Sequence, residues 1–297
     1  MPDISRPDLS QLPFLIRLVD DPSPAVRDKV TRVLRAFGPQ LSSHIQALEL
    51  TLSPQQKAAL SRLVAADEAS IRSAWTNWVS TSHRTQMSEH QKLEAALDLL
   101  ARWQSGRGES GERAPRLRTL LDNLAEDFLD RDGTPDPEEL SQFLFGDIDS
   151  GAKGIVGAPA EDYYNPLNSN LVWAIENAQG LPITLACLFM LVGDRVDLTI
   201  HGCSFPGHFL ARVREDGQDW LFDPFNSGRM LSASEVAALR KVAPQEMSEP
   251  PSAVDIVTRV LHNMVNAYRQ NDDEIRLAFV LELLNDLHSA QPNTPTL

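Results

Sequence analysis

Two apolar runs, residues 209–214 and 220–222, flank the dipeptide Asp216-Gly217. An Asp-Gly pair between such runs signals a two-residue hairpin turn. That turn fixes a register. Glu215 faces Gln218, Leu210 faces Asp223, and His208 faces Phe225. Side chains alternate along a strand, so His208, Leu210 and Asp223 share one face. His208 and Asp223 are then diagonal neighbours, with Cβ atoms roughly 7–8 Å apart. A one-residue bulge would put them on opposite faces. An aspartate that accepts an imidazole N–H fixes the tautomer and orientation of the ring, as in catalytic triads. The same pair can also serve only to satisfy two polar groups in a core.

A nucleophile for such a pair is sought upstream, at Gly180-Leu181-Pro182-Ile183-Thr184. Proline suits a first helical turn, so this reads as a helix start. Free N–H groups there can lower a thiol pKa or stabilise an oxyanion. Pro182 cannot be a nucleophile. Thr184 has a hydroxyl that would need strong activation by His208; its bland role is a hydrogen bond to backbone. Cys187, amid Leu185, Ala186, Leu188 and Phe189, reads as a small buried hydrophobe. Cys203, five residues before His208, either lines the site or packs in a strand. His201 reads as a partly exposed strand residue. The other histidines are scattered, and no metal spacing or cofactor signature appears.

The rest of the sequence narrows the class. A net charge of −14 over 297 residues argues against a nucleic-acid binder that neutralises phosphates. Two cysteines make neither a disulfide framework nor a zinc pattern. No apolar run reaches membrane-spanning length; the most apolar, residues 181–192, reads as a core helix. The N-terminus lacks the pattern of a secretory signal. A cytoplasmic protein with no nucleic-acid or membrane partner is expected.

Helical spacing predicts helices over 12–19 and 25–34, with a break at Asp20-Asp21-Pro22-Ser23-Pro24. Residues 55–63 and 68–79 read as a helix pair, with Trp75 and Trp78 on one face for packing. Helices follow over 89–103, 116–129 and 137–145, with a polar Gly-rich linker at 105–112. Residues 168–178 and 182–192 read as two helices. Residues 198–200, 209–214 and 220–222 read as strands. A helix over 232–241 has Ser232 or Ser234 as its cap, and 254–268 with 272–287 form an antiparallel pair. The tail from Gln291 is polar and Pro-rich, and frayed.

Four ordered stretches, Asp162-Tyr163-Tyr164-Asn165-Pro166-Leu167-Asn168-Ser169-Asn170-Leu171, Gly180-Leu181-Pro182-Ile183-Thr184-Leu185, Phe205-Pro206-Gly207-His208-Phe209-Leu210 and Asp223-Pro224-Phe225-Asn226-Ser227-Gly228, resemble the bacterial SirB-type proteins. That family belongs to the transglutaminase-like superfamily, with a papain-like fold. Residues 259–264 with Tyr268 resemble its helical segment after the core. The turn Asp-Pro followed by Val-Arg resembles one HEAT unit. The resemblance implies an α+β architecture. A mainly helical region, HEAT-like in part, covers 1–104, and a linker and helix 105–136. A transglutaminase-like core with a small antiparallel sheet covers 137–250, and a C-terminal helix pair and tail 251–297.

In active members the order is Cys at a helix start, His on a strand, Asp on the next strand. The resemblance puts His208 and Asp223 in the second and third places and Pro182 in the nucleophile's place. It implies a non-catalytic binding or scaffold protein with a protein or peptide partner and no cofactor. Asn168, Asn170 and Asn226 would line its recognition pocket. The alternative is a hydrolase or acyltransferase with a displaced nucleophile, Cys203, Cys187 or Thr184, with His208 as base and Asp223 as orienter.

Overall fold

Apolar periodicity in the first forty residues produces helices that bury one stripe each. The computed structural model describes residues 8–37, 40–82, 86–105, 116–131, 134–205, 208–215, 217–244 and 249–290. Most of the Gly-rich linker, Pro206-Gly207, the turn residue Asp216 and the tail from 291 lie outside them. The chain divides into two compact units, Met1–Asn77 with Arg102–Glu112, and Trp78–Ala101 with Arg113–Leu297.

In the first unit, α1 (Leu12–Leu18), α2 (Pro24–Ala36) and α3 (Gln40–Ala47) enclose a core of Leu12, Ile16, Val19, Val30, Leu34, Phe37 and Leu41. The break between α1 and α2 is self-closing. Asp21 accepts from the Ser23 N–H at 2.8 Å, and Arg27 Nη1 donates to the Asp21 and Pro22 carbonyls at 2.6 and 3.0 Å. The predicted pair 55–63 and 68–79 is instead one helix, α4 (Pro54–Ser82). The intervening Val64-Ala65-Ala66-Asp67 holds neither Gly nor Pro, and alanine is the best helix former, so nothing ends the helix there. Trp75 and Trp78 are both buried, and the Trp78 indole donates to the Lys92 carbonyl at 3.0 Å.

The second unit is built around α9 (Pro182–Arg195), in which every residue from Pro182 to Gly193 is buried. A helix apolar all round must be covered on all sides. On one side lie α6 (Arg116–Leu129), α7 (Pro137–Phe145) and the short α8 (Leu171–Asn177). On another lies an antiparallel sheet of β3 (Ile200–Phe205), β4 (His208–Glu215), β5 (Gln218–Asp223) and β6 (Arg229–Met230), in that order. A two-residue parallel pair joins β1 (Val156–Gly157) to β2 (Gln179–Gly180). The Phe189 ring meets Phe145 and Phe222 edge-on, at 6.0 and 5.5 Å. Arg195 ends the helix in a clasp with Glu94 at 2.8 Å, from α5 (Glu89–Gln104), and Asp122 at 2.7 Å. The helix α10 (Ala233–Val242) follows the sheet, opened by a Ser232–Glu235 capping box. The pair α11 (Ala253–Gln270) and α12 (Glu274–Ala290) ends the described chain.

Two expected boundaries move for local reasons. The strand read at 198–200 runs instead over Ile200–Phe205. The Leu198 N–H is used to close the end of α9, bonding the Gly193 carbonyl at 2.9 Å, with Asp197 left-handed at φ 59°. The helix read from 168 starts three residues later. Pro166–Ser169 forms a 3-10 turn capped by Asn165, and Asn170 caps α8.

Gly228 sets a limit on the β5–β6 turn. Its φ is +67°, and a Cβ there would lie 2.3 Å from Ser141 Oγ and 3.0 Å from the Ser141 carbonyl oxygen. Gly151, at φ +82°, has open space around it. Gly228→Ala is therefore expected to destabilise by about 2–4 kcal/mol and Gly151→Ala by only about 1 kcal/mol. Urea unfolding midpoints of the two variants check this; equal losses would contradict it.

Candidate functional site at the open end of the sheet

The observed β4–β5 register pairs Glu215 with Gln218 and Ala211 with Phe222. That is the ladder of a two-residue turn, and it brings His208 and Asp223 to the same end of adjacent strands. The His208 Nε2 lies 3.1 Å from Asp223 Oδ2. Asn226 holds the carboxylate from the other side, its Nδ2 donating to Oδ2 at 2.7 Å and its backbone N–H to Oδ1 at 3.2 Å. With Nε2–H as donor, the neutral ring keeps Nδ1 as its basic nitrogen. Asp223 is almost fully buried, whereas His208 keeps about a third of its side-chain surface. Burial pushes the Asp223 carboxyl pKa up, but the hydrogen bonds from His208 and Asn226 outweigh it and hold it below its ordinary 3.8.

The end of α9 points to this region. Gly193 lies against Ile200, where a Cβ would be 2.6 Å from Ile200 Cδ1, and Phe189 meets Phe222. Followed back from those two contacts, α9 runs antiparallel to β3. Its first turn therefore lies towards the Phe205, His208 and Asp223 end of the sheet. The faces differ, however. Ala211 and Phe222 face α9. Alternation puts His208 and Asp223 on the other face, with Cys203, Leu210 and Leu221. There Cys203, Phe205, Leu210, Leu221, Leu231 and Ala243 form an apolar cluster against Val236 and Leu239 of α10.

Each sequence-derived candidate has a definite place. Pro182 is the first residue of α9, buried, with no side-chain cap on that helix. Thr184 is buried, and its hydroxyl donates to the Asn168 carbonyl at 2.8 Å. Cys187 is fully buried, and burial pushes its thiol up to about 12. Cys203 is also fully buried, one diagonal step from His208 on the shared face. Neither cysteine is in a disulfide. His201 is partly exposed on β3, stacked on His90 at 6.2 Å.

The three asparagines divide. Asn168 is sealed; its Nδ2 donates to the Asp162 carbonyl at 2.6 Å, and its Oδ1 accepts from Gln179 Nε2 at 3.1 Å. The Asn170 Oδ1 caps α8 through the Trp173 N–H at 3.1 Å. Asn226 alone of the three is exposed, and it touches the His208–Asp223 pair. The first two therefore hold the scaffold, and the third borders the site.

Five further residues bear on the site, none of which the sequence reading singled out for a role there. Phe225 packs edge-on to Tyr163 at 6.3 Å, and Tyr163 to Tyr164 at 5.5 Å. Gly157 admits this contact, since a Cβ there would come within 2.7 Å of the Phe225 ring and carbonyl oxygen. Arg259 of α11 bonds the carbonyls of Phe205 and His208, at 2.6 and 2.9 Å, and so ties the end of β3 to the start of β4. Among the described residues no group of three or more His, Cys, Asp or Glu side chains could hold a metal ion. No described helix is long and apolar enough to cross a membrane.

The depressed Asp223 carboxyl has a sign that can be checked. Such a group adds stability that is fully present above its unfolded value and is lost as pH falls through the folded one. The stability difference between wild type and Asp223→Asn is thus expected to stay constant above about pH 5 and to shrink on further acidification. Urea unfolding across that range measures it. A difference that holds steady down to strong acid would contradict the assignment.

Comparison with known proteins gives the family. A UPF0162 protein of Xylella fastidiosa (strain Temecula1) is 34% identical over 142 residues, 44% of this chain and 50% of its own length. A UPF0162 protein of Haemophilus influenzae is 26% identical over 95 residues, 29% of this chain and 35% of its own. The Mus musculus F-box only protein 21 is 28% identical over 112 residues, 35% of this chain and 17% of its own. The chain spans about half the length of the Xylella relatives it matches. No solved structure matches it. The model of the transglutaminase-like superfamily matches residues 115–262, which hold α6 to α10, the whole sheet, His208 and Asp223. The chain therefore carries a transglutaminase-like superfamily domain over those residues.

Proposed function

We propose that this domain is a recognition module for a protein or peptide segment and performs no acyl chemistry. The observation that carries the reading is the contrast at the site. His208, Asp223 and Asn226 bond one another, while Pro182 opens α9 at the position that the family resemblance gives to the thiol. The two candidate nucleophiles carried by α9 itself are committed or sealed. Thr184 is spent on Asn168, and Cys187 is sealed with its thiol protonated at neutral pH. What remains accessible is His208, Asn226 and the Tyr163–Tyr164–Phe225 aromatics, a polar pair beside an aromatic wall. Such surfaces suit recognition, because aromatic side chains give large contact area at little entropic cost. The F-box only protein 21 match covers a small part of a much longer chain, which suits a module that is joined to other segments. A SirB-type kinship, a HEAT-like scaffold in the N-terminal helices and a cytoplasmic location belong to the same proposal.

One observation favours a second reading, a hydrolase or acyltransferase with a displaced thiol. Cys203 shares a sheet face with His208. Its complete burial among Phe205, Leu210 and Leu221 weighs against it, since a nucleophile must reach its substrate.

Both readings are tested together with pools of N-acetylated, amidated hexapeptides, scored for binding and for hydrolysis or acyl transfer. Wild type is expected to bind one or more pools without turnover, and His208→Gln and Asn226→Ala to weaken that binding at least fivefold. Turnover that disappears in Cys203→Ala would establish the displaced-thiol enzyme instead. Binding unaffected by either substitution would move the interface elsewhere.

A further inference from the structure

Among the described residues, Arg259, which bonds the His208 carbonyl, has no acidic partner. Arg259 Nη1 donates to Ser204 Oγ, and Nη2 donates to the Phe205 and His208 carbonyls. Its guanidinium lies 5.4 Å over the Phe209 ring. All four partners are neutral. Those three bonds leave the Nε–H and one Nη1 hydrogen unused. Burial holds its pKa below the ordinary value, and the Tyr163 phenol is the ionisable group that acts against this.

Other arginines of the domain behave differently. Arg195 meets Glu94 and Asp122, Arg214 and Arg240 share Asp219, and Arg276 meets Asp273. That is the ordinary outcome, because a desolvated charge without a counter-charge is costly. Scarcity of acids is not the reason, since the chain has 41 acidic residues against 27 basic ones. Asp223 lies on the sheet face opposite to Ser204 and Phe209 and is held by His208 and Asn226.

We propose that Arg259 is the anion subsite of the peptide site, receiving a carboxylate from an acidic side chain or a free C-terminus. This rests on the peptide-recognition reading above. The carboxylate would take the unused Nε–H as a charge-assisted bond, which is about twice as strong as a neutral one. The Tyr163 ring packs on Phe225, and burial raises its phenol pKa above the ordinary value. The ligand would complete the charge balance that the chain leaves open.

The test compares three hexapeptide pools: amidated with a fixed Glu, amidated with a fixed Gln, and fixed Gln with a free C-terminal carboxylate. Affinities are read by fluorescence anisotropy for wild type, Arg259→Lys and Arg259→Gln. Wild type is expected to bind one acid-bearing pool at least tenfold more tightly than the amidated Gln pool, with the ratio falling as salt rises. Which acid pool leads identifies the source of the carboxylate. The ratio is expected to shrink in Arg259→Lys, which lacks the planar fork, and to approach one in Arg259→Gln. A merely structural tie between β3 and β4 would lower all affinities together and leave the ratio intact. Equal wild-type binding of all three pools overturns the carboxylate subsite and leaves the peptide reading standing. An acid preference that survives Arg259→Gln also overturns it, and binding of no pool at all overturns both.

Discussion

The second unit depends on one constraint: α9 has no face that tolerates water. Every side chain from Pro182 to Gly193 must be covered. Helices α6, α7 and α8 and the sheet meet that need from different sides. The same packing fixes direction, because Gly193 is small enough to accept Ile200 and Phe189 seats against Phe222. With direction fixed, the open end of the sheet and the start of α9 come to the same end of the domain. The site is thus a consequence of core packing, and its position is insured by dozens of weak apolar contacts rather than by any polar bond within it.

Polar chemistry then refines that position. Asp223 is buried deeply enough that burial alone would favour its neutral form, yet three hydrogen bonds keep it ionised. Its charge orients His208, and Arg259 holds the His208 backbone from the opposite side. The imidazole is therefore fixed at both its ring and its main chain. Such preorganisation serves catalysis and recognition alike. The proposal of recognition rests on Pro182, which has no nucleophilic group, and on the burial of Thr184 and Cys187.

Much of this was legible in the sequence because it rests on local rules. Asp216-Gly217 dictated a register, and the register dictated the His208–Asp223 contact. Pro182 marked the start of α9, and Ser232 with Glu235 marked the start of α10. Less legible was anything decided by neighbours distant in sequence. Nothing local distinguishes Asn168, which is sealed by Asp162 and Gln179, from Asn226, which borders the site. Nothing in Asp197-Leu198 announces that a helix end will claim the Leu198 N–H before a strand can. The alternation rule did place His208 and Asp223 together, but it could not say which face α9 would take. Arg259 shows the limit most clearly. Its helix was readable, whereas its lack of a carboxylate partner among the described residues is a property of the folded surroundings.

The most direct test follows the side-chain and amide resonances of wild-type protein by NMR while a binding hexapeptide pool is titrated in and the peptides are monitored for cleavage. The account predicts shifts centred on His208, Phe225, Asn226 and Tyr163, with the peptides recovered intact. Shifts confined to residues remote from the sheet's open end, or cleaved peptide in the wild-type sample, would contradict it.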